Sequence, residues 1–410
     1  GTLGWYAIGW AIAYGGPYED GMLVSKFAGS EQFFGIGFAD DNKGSGTITP
    51  TTGPLNWFFQ WAFCSAAATI VSGGVAERVN FPGYLVYSAC MTTFIYPIVV
   101  AWTWGYGWLA GSVNSVNFMD FAGSGIVHMS GGVGALVGAI IAGPRAGRWE
   151  DPDAFVPHSL PLVVLGTFIL WFGWYGFNCG STLSLHDAST GMMAAHVAMN
   201  TTIAAATGGL TVFMLRYILL RKYDVGGLCN GILAGLVSIT AGCGNVWSGS
   251  SLAIGLIGGL IYQGTSTLLT KFKLVDDPLD AFAIHGAAGA WGVLAAAFFD
   301  FGGMDHVHAW SGWGCMTDSD TGDCMTGAGG ALFAANLVEV IAICAWVGSL
   351  SAVIFGILRA AGVLRASDDV QDMGMDTMKH SPPKAYSLDL GPSEHIIGAT
   401  VSQKSTQSKK

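Results

Sequence analysis

The sequence predicts an all-α polytopic membrane protein, on three observations. Hydrophobic residues make up 51% of the 410 positions and charged residues only 11%. Soluble domains carry about 25% charged residues, so this chain cannot cover itself with a water-facing surface. Apolar runs of about 20 residues, the length that crosses a bilayer, recur about ten times. Glycine occurs 61 times, far above its usual share of ~7%. That density lets helices approach closely in lipid, where packing joins them. A net charge of −10 leaves no basic patch and argues against nucleic acid as a partner.

The runs fall at 1–15, 55–76, 83–104, 122–143, 159–178, 190–220, 225–243, 248–270, 280–301 and 329–360. The first is short and opens without an initiator methionine or a signal-peptide pattern, so it reads as the remaining half of a helix. The 190–220 and 329–360 runs exceed one bilayer thickness and are expected to tilt or project. Lys and Arg set the orientation. Arg78, Arg145, Arg148, Arg216, Arg221, Lys222, Lys271 and Lys273 lie in one set of alternating loops, while the opposite set holds only Lys26 and Lys43. The first set is therefore expected to be cytoplasmic, together with a polar tail. The domain expectation is a transmembrane domain over 1–362 and a cytoplasmic tail over 363–410.

Two histidines stand inside apolar runs: His128 in "MDFAGSGIVHMSGG" and His285 in "LDAFAIHGAAGAWG". A single intramembrane histidine reads equally well as one bonded to a backbone carbonyl. Two in similar glycine-rich settings, each preceded by an aspartate (Asp120 and Asp280), suggest two halves of an internal repeat meeting at the midplane. Neutral imidazoles donate and accept, so such a pair can bond each other and line a pore. His196 has no repeated counterpart and reads as packing. No cofactor or metal is expected, because metal sites usually need three or four ligands and nothing else acidic or thiol-bearing lies near both histidines.

The stretches "FFQWAFCSAAATIVSGGVAER" (58–78), "DFAGSGIVH" (120–128), "WFGWYGFNCGS" (171–181) and "DAFAIHG" (280–286) resemble signatures of the ammonium transporter family (Amt/Mep/Rh). The resemblance runs from residue 1 to about 380. It implies the ammonium-transporter fold, with two inverted five-helix halves plus a final helix. The opening "GTLGWYAIGWAIAYG" resembles the end of the family's second helix, so the first helix and part of the second are expected to be missing from this chain. The resemblance further implies a homotrimer in the plasma membrane, a cytoplasmic C-terminus, and ammonium or ammonia (and methylammonium) as substrate. A cytoplasmic regulator acting at the tail is a further expectation. "GMDTMKH" (374–380) resembles the family's tail stretch, where a threonine can be phosphorylated. Here Met378 stands at the matching position with Thr377 beside it, so docking of the tail is expected rather than a phospho-switch.

Site roles follow by the same resemblance. Phe59, Phe63, Trp104 and Ser181 match the outer recruitment site, and Trp104 favours the Amt/Mep branch. Phe63 and Phe177 match the stacked pair that blocks the pore, His128 and His285 the pore pair, Asp120 the acid near the site, and Gln60 a position next to the vestibule. Physical chemistry suits these roles. A bare cation cannot be dragged through ~30 Å of hydrocarbon. A ring face attracts a cation, Trp best of all, and a serine hydroxyl can accept a bond from ammonium but none from potassium. Asp120 is expected chiefly to hold backbone groups at the start of its helix. Singly, interfacial aromatics read as membrane-belt anchors and Phe59 with Phe63 at i, i+4 as helix packing. Alongside two intramembrane histidines, the functional reading prevails. The alternative is an ammonium sensor with little flux.

Cys315 and Cys324, in "GCMTDSDTGDC", sit in a polar, glycine-rich loop on the side expected to face outward. An oxidising exterior and a turn-like intervening stretch favour a disulfide between them, contributing roughly 2–3 kcal/mol locally. Peptide mapping of non-reduced protein should recover the Cys315–Cys324 pair, and alkylation of both thiols would refute it.

Overall fold

The computed structural model describes residues 1–37, 53–112, 116–301, 313, 321 and 330–379. Cys315 and Cys324 lie outside these residues. Ten helical segments follow the ten apolar runs. They are α1 (2–14), α2 (Gly53–Val75), α3 (Phe81–Trp102), α4 (Ser124–Ala142), α5 (Leu160–Gly180), α6 (Ala188–Leu220), α7 (Val225–Thr240), α8 (Ser248–Lys271), α9 (Phe282–Phe298) and α10 (Ala331–Ala360). A two-stranded hairpin, Tyr18–Glu19 with Met22–Leu23, follows α1. Seven of the described helices are long and apolar enough to cross a membrane, while α7 and α9 are shorter apolar helices. At 1.5 Å per residue, α9 reaches only about 25 Å as a helix. Residues 1–365 form one compact unit, and the described residues from 366 to 379 belong to a second. In the second, Asp368–Met373 and Met375–Lys379 are short helices.

Helices pack where side chains are absent. Between α6, α7 and α8, a Cβ added at Gly208, Gly235 or Gly255 would come within 2.5 Å of a neighbouring backbone oxygen. Such contacts bring backbones together in a medium that offers no hydrophobic drive between helices. Another crossing is as close: a Cβ on Gly132 of α4 would stand 2.2 Å from the Gly286 nitrogen of α9.

Both helices at that crossing open with a turn of i→i+5 hydrogen bonding, Ser124–Met129 in α4 and Phe282–Ala287 in α9. In α4 the His128 N–H reaches back to the Gly123 carbonyl. Gly123 enters the helix at φ +101°, and a Cβ there would press on Val127 and Trp104. Such turns recur at functional positions because the extra residue redirects side chains without breaking the helix.

At one end of the bundle the α2–α3, α4–α5 and α8–α9 connections are tied by charge. Arg145 contacts Asp276 at 2.9 Å and Glu77 at 2.5 Å, and Arg148 contacts Asp276 at 3.3 Å. Arg78, wholly buried, donates to the carbonyls of Gly143 and Asp276. Burial raises the Asp276 carboxyl, but hydrogen bonds from Arg145 outweigh it and leave the group below its ordinary range. Stability from this cluster is therefore complete above the ordinary carboxylate pKa and is lost as pH falls through the depressed one. Arg145→Ala should remove the main partner of a buried carboxylate that Arg148 still contacts, at a cost of about 1.5–3 kcal/mol. Thermal unfolding in detergent at neutral pH should register a clear drop in midpoint, and the gap from wild type should shrink under acid.

Candidate functional site

Six of the residues singled out in the sequence, Phe59, Gln60, Phe63, Trp104, Asp120 and Ser181, line one cavity of about 350 Å³. They come from α2, the end of α3, the loop before α4 and the C-terminus of α5. Trp104 is anchored by its indole N–H, which donates to the Asp120 carbonyl at 3.0 Å, so its ring face stays toward the cavity wall shared with Phe63. The Ser181 hydroxyl donates to the Phe177 carbonyl at 2.9 Å. Its one proton is thereby spent, and its lone pairs remain to accept. Gln60 Oε1 is buried with no hydrogen-bond partner among the described residues.

Beneath the cavity the rings form a continuous column. Trp104 meets Phe63 edge-on at 5.7 Å, and Phe59 meets Phe63 at 4.7 Å. Phe63 lies 4.1 Å from Phe177, which lies 5.2 Å from His128. Phe63 is fully buried and lines the cavity.

Below the phenylalanines the two imidazoles touch. His128 Nδ1 and His285 Nδ1 are 3.2 Å apart, with the rings nearly parallel at 19°. One of these nitrogens must carry the hydrogen and the other accept it, a bond that two neutral imidazoles can make. The pair is brought together by the Gly132–Gly286 contact one turn away. Trp174 stacks on His128 at 4.9 Å and 11°, held by its own N–H to Thr240. Sequence reasoning missed Trp174, which shares a helix face with Phe177 three residues on. His128 Nε2 has no hydrogen-bond partner among the described residues.

Asp120 caps α4. Its Oδ1 accepts the N–H groups of Gly123 and Ser124, and its Oδ2 those of Gly125 and Ile126, all at 2.8–2.9 Å. Four donors that a helix leaves unpaired at its start are taken by one side chain.

In the second half the aspartate within the quoted motif has a different place. Asp280 does not cap α9; it accepts from Tyr262, Ser266 and Asn230. The cap is Asp277, whose oxygens accept from the N–H groups of Ala281 and Phe282 at 2.9 and 2.7 Å. Burial, with Asp280 beside it, pushes the Asp277 carboxyl up to about 6. The signal was present: Asp120 to His128 and Asp277 to His285 share the spacing D-x7-H. The nearer aspartate drew attention because it stood inside the quoted motif.

His196 bonds Val246 and Asn200, in line with a packing role and away from the column. Among the described residues no cluster of three or more His, Cys, Asp or Glu side chains could hold a metal ion.

Comparison with known proteins agrees with this arrangement. The model of the Ammonium Transporter Family matches residues 1–386. Ammonium transporter 1 member 1 of Solanum lycopersicum is 37% identical over 397 residues, covering 93% of this chain and 77% of its own length. Ammonium transporter Amt2 of Archaeoglobus fulgidus is 37% identical over 390 residues, with coverages of 93% and 77%. Among solved structures, a protein described as a sensor Amt protein superposes with a TM-score of 0.76 at 31% identity, covering 92% of this chain and 86% of that one. Mep2 of Saccharomyces cerevisiae gives 0.72 at 27%, covering 89% and 79%. With the helical bundle, the paired π-turned helices and these matches in agreement, the chain belongs to the ammonium transporter family, a family of multi-pass membrane transporters and not of enzymes.

Proposed function

We propose that this protein transports ammonium by recruiting the cation in the aromatic cavity, deprotonating it, and conducting ammonia past the histidine pair. The observation that carries the reading is the unbroken column from Trp104 through Phe63 and Phe177 to His128 and His285. Each level of it suits one stage of transport. At the top, the Trp104 and Phe63 rings offer π faces, the Ser181 lone pairs accept a hydrogen bond, and the Asp120 carboxylate behind them adds negative potential. A spherical potassium ion gains less there, because it has no hydrogens to donate.

In the middle, the Phe63–Phe177 contact leaves no polar partner for a hydrated cation, so a charge that enters loses its solvation without replacement. Neutral ammonia carries no such penalty. Below, the two imidazoles offer polar atoms to a small neutral base in an otherwise apolar channel. Their Nδ1 atoms are mutually bonded, which holds the two rings in line. The sequence is then recruitment, loss of a proton above the phenylalanines, passage of ammonia, and reprotonation beyond the histidines.

The same reading includes a homotrimer in the plasma membrane and methylammonium as an alternative substrate. It assigns 1–362 to the transmembrane domain and 363–410 to a cytoplasmic tail open to a regulator. A sensor with little flux is the alternative, favoured only by the likeness to the sensor Amt protein. Uptake of labelled methylammonium in a transport-deficient host separates them, since a sensor would leave uptake at background.

Two substitutions test the stages. Trp104→Leu keeps bulk and removes the ring quadrupole, worth about 2 kcal/mol to a desolvated cation. The expected outcome is roughly 30-fold weaker apparent affinity at normal membrane levels; unchanged transport across substrate concentrations would end the cation–π role. His285→Ala removes one member of the buried imidazole pair. Flux or discrimination against potassium should change while the assembly seen by size-exclusion chromatography stays intact. Wild-type transport and selectivity in that variant would eliminate the pore role of the pair.

A further inference from the structure

Glu339 is the only acidic residue within helices α1–α10, and nothing in the transport path described so far uses it. Its side chain is completely buried. A Cβ placed on Gly125 would lie 2.9 Å from Glu339 Oε1 and 3.3 Å from Asp120 Oδ2. The absent side chain at 125 therefore lets two carboxyl groups share one small space. Asp120 is the group Glu339 interacts with, at hydrogen-bonding reach. Tyr96 of α3 and Cys243 beyond α7 are further titratable groups within electrostatic range of Asp120. No Lys or Arg neutralises it: the described ion pairs all involve other residues.

The hydrogen-bond inventory separates the two acids. Asp120 accepts four backbone N–H groups, which favour its charged form. Neither Glu339 oxygen is reached by any donor among the described residues. An ionised Glu339 would be a bare charge in a dry interior beside a second one, costly on both counts. A protonated Glu339 removes the repulsion and uses its own O–H, as when two carboxyls share one proton.

We propose that Glu339 holds a permanent proton and donates it to Asp120, acting as a positioning residue that fixes the capping carboxylate and limits the site beneath the vestibule to one negative charge. Such a donor braces Asp120 in addition to the four backbone N–H groups. It also lets α10, which packs against α4, hold the head of the helix that carries His128.

Infrared difference spectroscopy of the whole protein in lipid vesicles tests this directly. The wild-type minus Glu339→Gln spectrum should contain the carbonyl stretch of one protonated, buried carboxylic acid, at neutral and at mildly alkaline pH alike. Absence of that band, or its loss over this range, overturns the permanent proton. This readout does not depend on transport, so it stands even if the proposed function fails. Methylammonium uptake then tests the positioning role. Glu339→Gln keeps a donor at nearly the same volume and should stay within about twofold of wild type, with the same pH profile. Glu339→Leu lacks the donor and should fall at least about tenfold, the scale of one lost hydrogen bond to a charged group. Wild-type uptake in Glu339→Leu would remove the positioning role, and loss of uptake in a folded Glu339→Gln would mean that the proton has to move.

Discussion

Two glycines meeting at Gly132 and Gly286 are the contact on which the rest of the site depends. A side chain on Gly132 would overlap the Gly286 backbone at 2.2 Å, so its absence lets α4 and α9 cross at backbone distance. The crossing lies beside His285 and one turn from His128, and it is what holds their Nδ1 atoms 3.2 Å apart. In lipid, where apolar surface gains nothing by leaving the solvent, close backbone contact is among the few forces that join helices. A chain so rich in glycine uses it repeatedly, and here the geometry of the imidazoles follows from it.

Both crossing helices begin with buried residues, and each therefore needs an internal partner for its first N–H groups. Asp120 and Asp277 provide it, one carboxylate for each half. A helix start is also where a carboxylate is electrostatically favoured. The same groups thus solve a structural problem and leave negative charge near the path. The wider turns that follow, Ser124–Met129 and Phe282–Ala287, let the histidines face each other while the glycines below them still touch. Cap, widened turn, histidine and glycine form one unit, present twice in the chain.

The aromatic column shows how packing and function coincide. Phe63 is buried against Phe59, Trp104 and Phe177, contacts that would serve any helical core. What gives them a functional reading is their order along one line, with a cavity above and imidazoles below. Trp174, stacked on His128, extends the same line.

By itself the sequence determined the class of fold, because composition and the length of apolar runs reflect the medium the chain must live in. It also pointed to six of the side chains around the cavity, through ordered motifs spread over the chain. Periodicity could say that His128 and His285 lie within apolar helices, since the length of a run is a local property. Tertiary structure decided what contact between distant segments decides. The bond between His128 and His285, the stacking of Trp174, and the burial of Glu339 against Asp120 each join residues far apart in the chain, and no local pattern encodes them. The choice of Asp277 over Asp280 as the cap is intermediate. Its spacing to His285 was written in the chain, but only the backbone path shows which carboxylate reaches the free N–H groups at the head of α9.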